Sequence, residues 1–149
     1  MKFVSTVKEF RENLKTRFYS LQWIDAIDFT NFFIIGGSVI NALCKSEFYD
    51  TSEQDINLIY LSNDSIDYEK AVANVIVKLQ GITPTHLKHL IKIEKTPILC
   101  LYDILLPCGV KLNFKCASFN DSKDPISHVL HNLDFDICQV AFNGNFSTF

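Results

Sequence analysis

The segment from Phe32 to Leu61, FFIIGGSVINALCKSEFYDTSEQDINLIYL, constrains the fold more than any other part of the chain. Phe32 to Ile35 is an uninterrupted apolar run that stops at Gly36-Gly37, the pattern of a strand buried on both faces that hands over to a tight turn. Ser38 then stands where a helix N-cap belongs, ahead of Val39, Ile40 and Leu43 at helical spacing. A glycine pair and a serine at a helix start bring backbone N–H groups and a hydroxyl close to an anion, and the helix dipole favours a phosphate there. A second strand follows a polar loop. Side chains alternate along a strand, so Asp55, Asn57 and Ile59 share one face while Ile56, Leu58 and Tyr60 share the other. With the Ile56 face in the core, Asp55 and Asn57 look toward the Gly-Gly-Ser turn.

The rest of the chain falls into place around that unit. An amphipathic helix opens it: Thr6 and Glu9 form a capping-box pattern, and Val7, Phe10, Leu14, Phe18 and Leu21 recur on one face. Lys8, Arg11 and Lys15 lie on another face as a basic stripe, read as solvated. The aromatic and acidic segment from Trp23 to Phe29 links this helix to the first strand. After the polar loop Ser62 to Asp67, the residues Tyr68, Ala71, Val72, Val75, Ile76 and Leu79 make a helix that Gly81 and Pro84 are expected to stop. The period then changes to two. Leu87 to Ile93, Ile98 to Ile104 and Val110 to Cys116 are strand candidates, with Pro107-Cys108-Gly109 turning between the last two. Asp124-Pro125 opens a short helix through Leu130. A last strand, Phe135 to Phe142, ends at Asn143-Gly144, a type I′ hairpin signal with Asn145 to Phe149 as the return.

Helix, strand, helix, strand, helix and then several strands is the order of an α+β domain with a mixed β-sheet flanked by helices, covered mainly on one face. With 149 residues, 48% of them hydrophobic, and no linker or repeat, residues 1–149 are expected to form a single domain with a sizeable core. The formal net charge of -3 argues against a partner made of extended nucleic acid, because phosphate binding depends on clustered Lys and Arg. A small anionic ligand or a protein partner suits that balance. No apolar run approaches the ~20 residues of a membrane span, and the N-terminus lacks a signal-peptide core. Five scattered cysteines without a CxxC pair read as reduced thiols of an intracellular protein, cytoplasmic or nuclear.

The Gly37, Ser38, Asp55 and Asn57 spacing resembles the signature of the DNA polymerase beta-like nucleotidyltransferase superfamily. In that family a Gly-Gly-Ser or Gly-Ser turn is followed, after a helix, by Asp-x-Asp or Asp-x-Glu on a strand. The element order is that of the minimal nucleotidyltransferase-like fold. The segment LDFDICQVAFNG, Leu133 to Gly144, resembles a Phe-Asp-Phe-x-x-Cys segment found after the sheet in such domains. Taken together the resemblance covers most of Phe32 to Gly144.

The resemblance implies a site. Gly36, Gly37 and Ser38 would bind the nucleotide, Asp55 and Asn57 would take the metal positions, and Asn113 would occupy the strand position of the family's third carboxylate. Here the second and third carboxylates are amides. Magnesium prefers hard anionic oxygens, and nucleotidyl transfer places two such ions about 3.5 to 4 Å apart, so the metal site is degenerate. The leading expectation is therefore a pseudoenzyme: a nucleotidyltransferase-fold domain, catalytically weak or inactive, that acts by binding a nucleoside triphosphate or a protein partner. One alternative is an active magnesium-dependent nucleotidyltransferase that moves NMP from an NTP to a protein, nucleic acid or small molecule, with a carboxylate borrowed from Glu53, Asp134 or Asp136. Asp103 is a further acidic residue on a strand candidate, with no motif around it. The other alternative is a pure protein-interaction module with an exposed apolar patch at the Phe-rich C-terminal hairpin.

Two His-x-x-His pairs, His86 with His89 and His128 with His131, are read as structural. On a strand the first pair would point to opposite faces, and the second, on a helix face, lacks a third ligand at any informative spacing. Neither a Gly-x-Ser-x-Gly elbow nor a Walker sequence is present.

Overall fold

A computed structural model describes residues 2–46, 55–62, 64–97, 100–117, 140–144 and 146–148. Helix α1, Val7–Phe18, begins as its sequence dictates: the Thr6 hydroxyl accepts the Glu9 N–H at 3.1 Å. The Glu9 carboxylate reaches back one residue further than in the usual capping box, to the N–H of Ser5 at 2.8 Å. Phe10, Leu14 and Phe18, four residues apart, are buried. Trp23 is buried too, with its indole N–H donating to the Phe18 carbonyl at 2.8 Å, so the segment after α1 folds back onto it. Of the basic stripe, Arg11 lies over the Phe142 ring, 5.3 Å from its centroid, while Lys8 and Lys15 are exposed.

Strand β1, Phe32–Ile35, is buried along its whole length. Helix α2, Gly37–Leu43, follows it. Strand β2, Ile56–Leu61, leads to helix α3, Ser65–Ile82, whose N-cap Asp64 accepts from the N–H groups of Ile66 and Asp67. Gly81 does not stop α3. The helix carries on to Ile82 and ends at Thr83, whose hydroxyl donates back to the Leu79 carbonyl at 2.7 Å. The strand expected over Leu87 to Ile93 is also displaced: after Pro84, residues Thr85–Leu90 form a 3-10 helix, and strand β3 is Lys92–Thr96. Strands β4, Leu101–Leu105, and β5, Lys111–Ala117, lie close to their expected places. Strands β6, Val140–Phe142, and β7, Phe146–Thr148, end the described chain.

Among the described residues seven strands form one sheet in the order β3-β4-β5-β2-β1-β6-β7. The pair β2 and β5 is parallel and the other pairs are antiparallel, a mixed sheet as the element order required. Pairing of Phe142 with Phe146 leaves three residues between β6 and β7, not the two of a type I′ turn. A type I′ turn needs positive φ at both central residues, and here Gly144 has it, at 94°, whereas Asn143 does not. The expected helix through Leu130 and the first part of the last strand lie outside the described residues.

One face of the sheet carries the main core, where Ile34, Ile56, Leu58, Leu112 and Phe114 meet α1 and α3 residues such as Leu14, Tyr68 and Leu79. The opposite face is not left open throughout. Phe33, Ile35, Ile59 and Ala141 form a second buried cluster there, so coverage is less one-sided than the sequence pattern implied. Phe142 is fully buried and packs against Phe10 and Phe29, which places it in the core and not on an exposed C-terminal patch.

Candidate functional site

The candidate site lies at the polar half of that second face, where β1 ends and β2 and β5 run side by side. Gly36 makes the exit from β1 possible: its φ of 90° and ψ of -157° belong to a region that only glycine enters freely. A Cβ there would sit 3.2 Å from Asn57 Nδ2, so the turn and the second strand touch. Gly36 is also the N-cap of α2, with no side-chain hydrogen bond, and Val39 and Ile40 donate to its carbonyl. Ser38 is therefore the second residue of the helix and not its cap. It is fully buried, and its Oγ has no hydrogen-bond partner among the described residues.

Asp55, Asn57 and Asn113 come together as the alternation required. The Asn113 Nδ2 group donates to Asp55 Oδ2 at 2.9 Å and to Asn57 Oδ1 at 3.3 Å. A carboxylate only accepts hydrogen bonds, so chemistry fixes which end of the amide faces Asp55. That orientation leaves Asn113 Oδ1 buried with no partner among the described residues. The site thus holds two unsatisfied buried oxygens, on Ser38 and Asn113, each worth about 1–3 kcal/mol of desolvation penalty.

The register adds a residue that no motif pointed to. Asn57 pairs with Asn113 across the parallel strands, and Asn113 pairs with Asp103 across the antiparallel ones. Directly opposed residues lie on the same side of a sheet, so Asp103 shares the face of Asn113 and Asn57. Glu94 continues the row on β3. The signal for Asp103 was its parity with the neighbouring strand, which becomes legible only once the turn at Leu106 to Val110 sets the register.

As a ligand set Asp55, Asn57 and Asn113 offer one carboxylate and two neutral amides, where magnesium prefers anionic oxygens. Asp55 is the single carboxylate of the triad, and the Asn113 amide N–H group is shared between it and the Asn57 side-chain oxygen. Among the described residues no group of three or more His, Cys, Asp or Glu is placed to hold a metal. Glu53, Asp134 and Asp136 lie outside the described residues, as do His128 and His131. His86 and His89 are exposed on the 3-10 segment, where residues three apart fall on one side and do not diverge.

Comparison with solved structures decides the architecture. A CCA-adding enzyme in complex with ATP matches over 95% of this chain with a TM-score of 0.61 at 16% identity. The chain has a nucleotidyltransferase-like fold. A CCA-adding enzyme complex with CTP matches with a TM-score of 0.59, and the Thermotoga maritima CCA-adding enzyme complexed with tRNA with 0.57, both at 16% identity over 95% of the chain. The chain spans about a third of the length of these enzymes, 31%, 31% and 30% respectively. No family model matches the sequence, and no curated protein does. Among the described residues of this nucleotidyltransferase-like chain, no helix is long and apolar enough to cross a membrane.

Proposed function

We propose that the chain is a DNA polymerase beta-like nucleotidyltransferase domain with a degenerate metal site, which binds a nucleoside triphosphate without transferring its nucleotide. The observation that carries this reading is the Asn113 amide, which donates to Asp55 and Asn57 together. In a carboxylate cluster, mutual repulsion is relieved by bound cations; here an amide N–H satisfies the acceptors in their place. The domain keeps its site together without metal and gives up the charge that transfer chemistry requires. The phosphate end is less altered: Gly36 holds the turn open, Gly37 and Ser38 lead the helix, and the Ser38 hydroxyl has no partner among the described residues. The ATP and CTP complexes of the structurally similar CCA-adding enzymes support a nucleotide as the ligand class.

Thermal unfolding with each nucleoside triphosphate, with and without magnesium, tests this. Binding is expected to stabilise the domain by about 2.7 kcal/mol at a ligand concentration a hundredfold above Kd, equally with and without magnesium. A shift that requires magnesium and disappears in Asp55→Ala would overturn the inactive reading. No shift with any nucleotide would exclude nucleotide binding and leave a protein-interaction module.

A second reading, a weak but active transferase, is favoured by one observation, the pairing of Asp103 with Asn113 on the site face. Transfer of labelled NMP to any acceptor, lost in Asp103→Asn, would establish it. Absence of transfer in wild type and variant alike counts against it.

A further inference from the structure

The sheet ends at β3, and among the described residues no strand pairs with its outer edge. Every residue of Lys92–Thr96 is exposed. Ile93 is 42% exposed, although it stands opposite the fully buried Ile104 on the helix side of the sheet. Ile91, just before the strand, has extended backbone, and no proline interrupts residues 91–96. The edge therefore offers a continuous row of N–H and C=O groups for a further strand. Lysine commonly guards such an edge, but Lys95 is engaged within its own chain. Its ammonium lies 2.7 Å from Glu69 Oε1 and sits over the Tyr102 ring, 5.4 Å from the centroid.

The site face of β3 carries a different arrangement. Glu94 stands opposite Asp103 on β4, two carboxylates side by side on neighbouring strands, which is an unfavourable cross-strand pair. Lys92 lies two residues away on that same face. Neither Lys92 nor Glu94 has an ion-pair partner among the described residues.

We propose that β3 pairs antiparallel with β3 of a second copy of this chain, about a two-fold axis, and joins the two sheets into one. An axis perpendicular to the sheet keeps each residue on its own face, so the pairing must be centred on a residue and not between two. Centred on Lys92, Glu94 or Lys95, it sets a like charge against itself. Centred on Thr96, it brings Pro97, which has no N–H, into the ladder. Centred on Ile93, it sets Lys92 opposite Glu94 of the second copy, and Glu94 opposite Lys92, with the two exposed Ile93 side chains in contact. That register gives Glu94 a cation on its free side, where its own sheet gives it Asp103. The two site faces then lie on the same side of a continuous sheet, with the two β5 strands about 24 Å apart at about 4.8 Å per strand spacing.

Sedimentation equilibrium of the folded chain over a range of protein concentrations tests this, and a reversible dimer is expected. Lys92→Glu and Glu94→Lys each put like charges together at both ends of the ladder, and each is expected to weaken the dimer at least about tenfold. The double variant Lys92→Glu/Glu94→Lys restores both pairs and is expected to dimerise as the wild type does. The two single variants, mixed, complement each other and are expected to form a mixed dimer. In the wild type, amide hydrogen exchange is expected to slow within residues 91–95 as the dimer forms, a readout that stands even if a variant fails to fold. A wild-type chain that stays monomeric at every concentration would overturn the proposal. So would a dimer that both single variants leave intact, a double variant no better than the singles, or protection confined to another surface.

Discussion

Asn113 and Asp55, 58 residues apart in sequence, meet through a 2.9 Å hydrogen bond in which the amide nitrogen donates to the carboxylate. Asn113→Asp turns that donor into a second acceptor beside Asp55. The variant is expected to lose about 1–3 kcal/mol near neutral pH, the penalty of a buried group left without its partner. Repulsion raises the pKa of one carboxyl of such a pair, so the loss shrinks as pH falls toward the carboxylate range. Millimolar magnesium should recover stability in the variant and leave the wild type unchanged. Urea unfolding with and without magnesium measures both, and equal midpoints in all four conditions would contradict the role given to the amide.

Gly36 and Gly81 make an opposed pair of predictions. At Gly36 a methyl group meets both a positive φ of 90° and Asn57 Nδ2 at 3.2 Å. Gly36→Ala is expected to cost about 1–3 kcal/mol and to displace Asn57. Gly81 lies in α3 with nothing within 4 Å of an added Cβ. Gly81→Ala is expected to stabilise by about 0.5–1 kcal/mol, through helix propensity and a less flexible unfolded chain. Denaturation midpoints of the two variants should move in opposite directions.

What the sequence made legible was local or had a clear period. Phe32 to Ile35, the Thr6 cap and the alternation that turns Asp55 and Asn57 to one side each depend on residues within a few positions of one another. The cap expected at Ser38 was misplaced by two residues, because Gly36 could supply the special backbone that made a side-chain cap unnecessary. Thr85 to Ile91 has apolar residues at 87, 90 and 91, a spacing that two periods share, and after Pro84 residues Thr85–Leu90 form a 3-10 helix. Asp103 was out of reach for a different reason. Its meaning depends on which residue it opposes, and strand register is fixed by the folded sheet and not by the strand's own letters.

Tyr68 sets the alkaline limit. Its ring is buried, its hydroxyl donates to the Cys100 carbonyl, and burial first, then the neighbouring thiols and Tyr102, pushes its pKa well above the usual range. Burial raises Tyr60 in the same direction. The unfolded chain releases these protons near pH 10 while the folded chain retains them, so the unfolded state binds fewer protons and stability falls as pH rises. The contribution is complete below about pH 10 and declines above it, by up to about 1.4 kcal/mol per pH unit for each group. Tyr68→Phe is expected to lose about 1 kcal/mol at neutral pH and to have a shallower decline between pH 10 and 11. Parallel curves for the two proteins would refute the assignment.

Arg17 joins α1 to the far end of the helix that carries the glycine turn. Its guanidinium donates to the Asn41 side-chain oxygen at 3.1 Å, to the Cys44 carbonyl at 3.0 Å and to the Lys45 carbonyl at 2.9 Å. Asn13 Nδ2 reaches the Ala42 and Cys44 carbonyls at 2.9 and 3.2 Å, so two side chains of α1 serve the last turn of α2. A lysine ammonium is a single compact donor group and cannot span the same fan of acceptors. Arg17→Lys is expected to cost about 1.5–3 kcal/mol, the range for a charged donor. Asn13→Ala should cost about 1 kcal/mol alone. Because both residues share the Cys44 carbonyl, their double variant should depart from additivity by about 0.5 kcal/mol or more. Strict additivity would mean that the two donors act on α2 independently, and that the shared carbonyl is not where the helices are coupled.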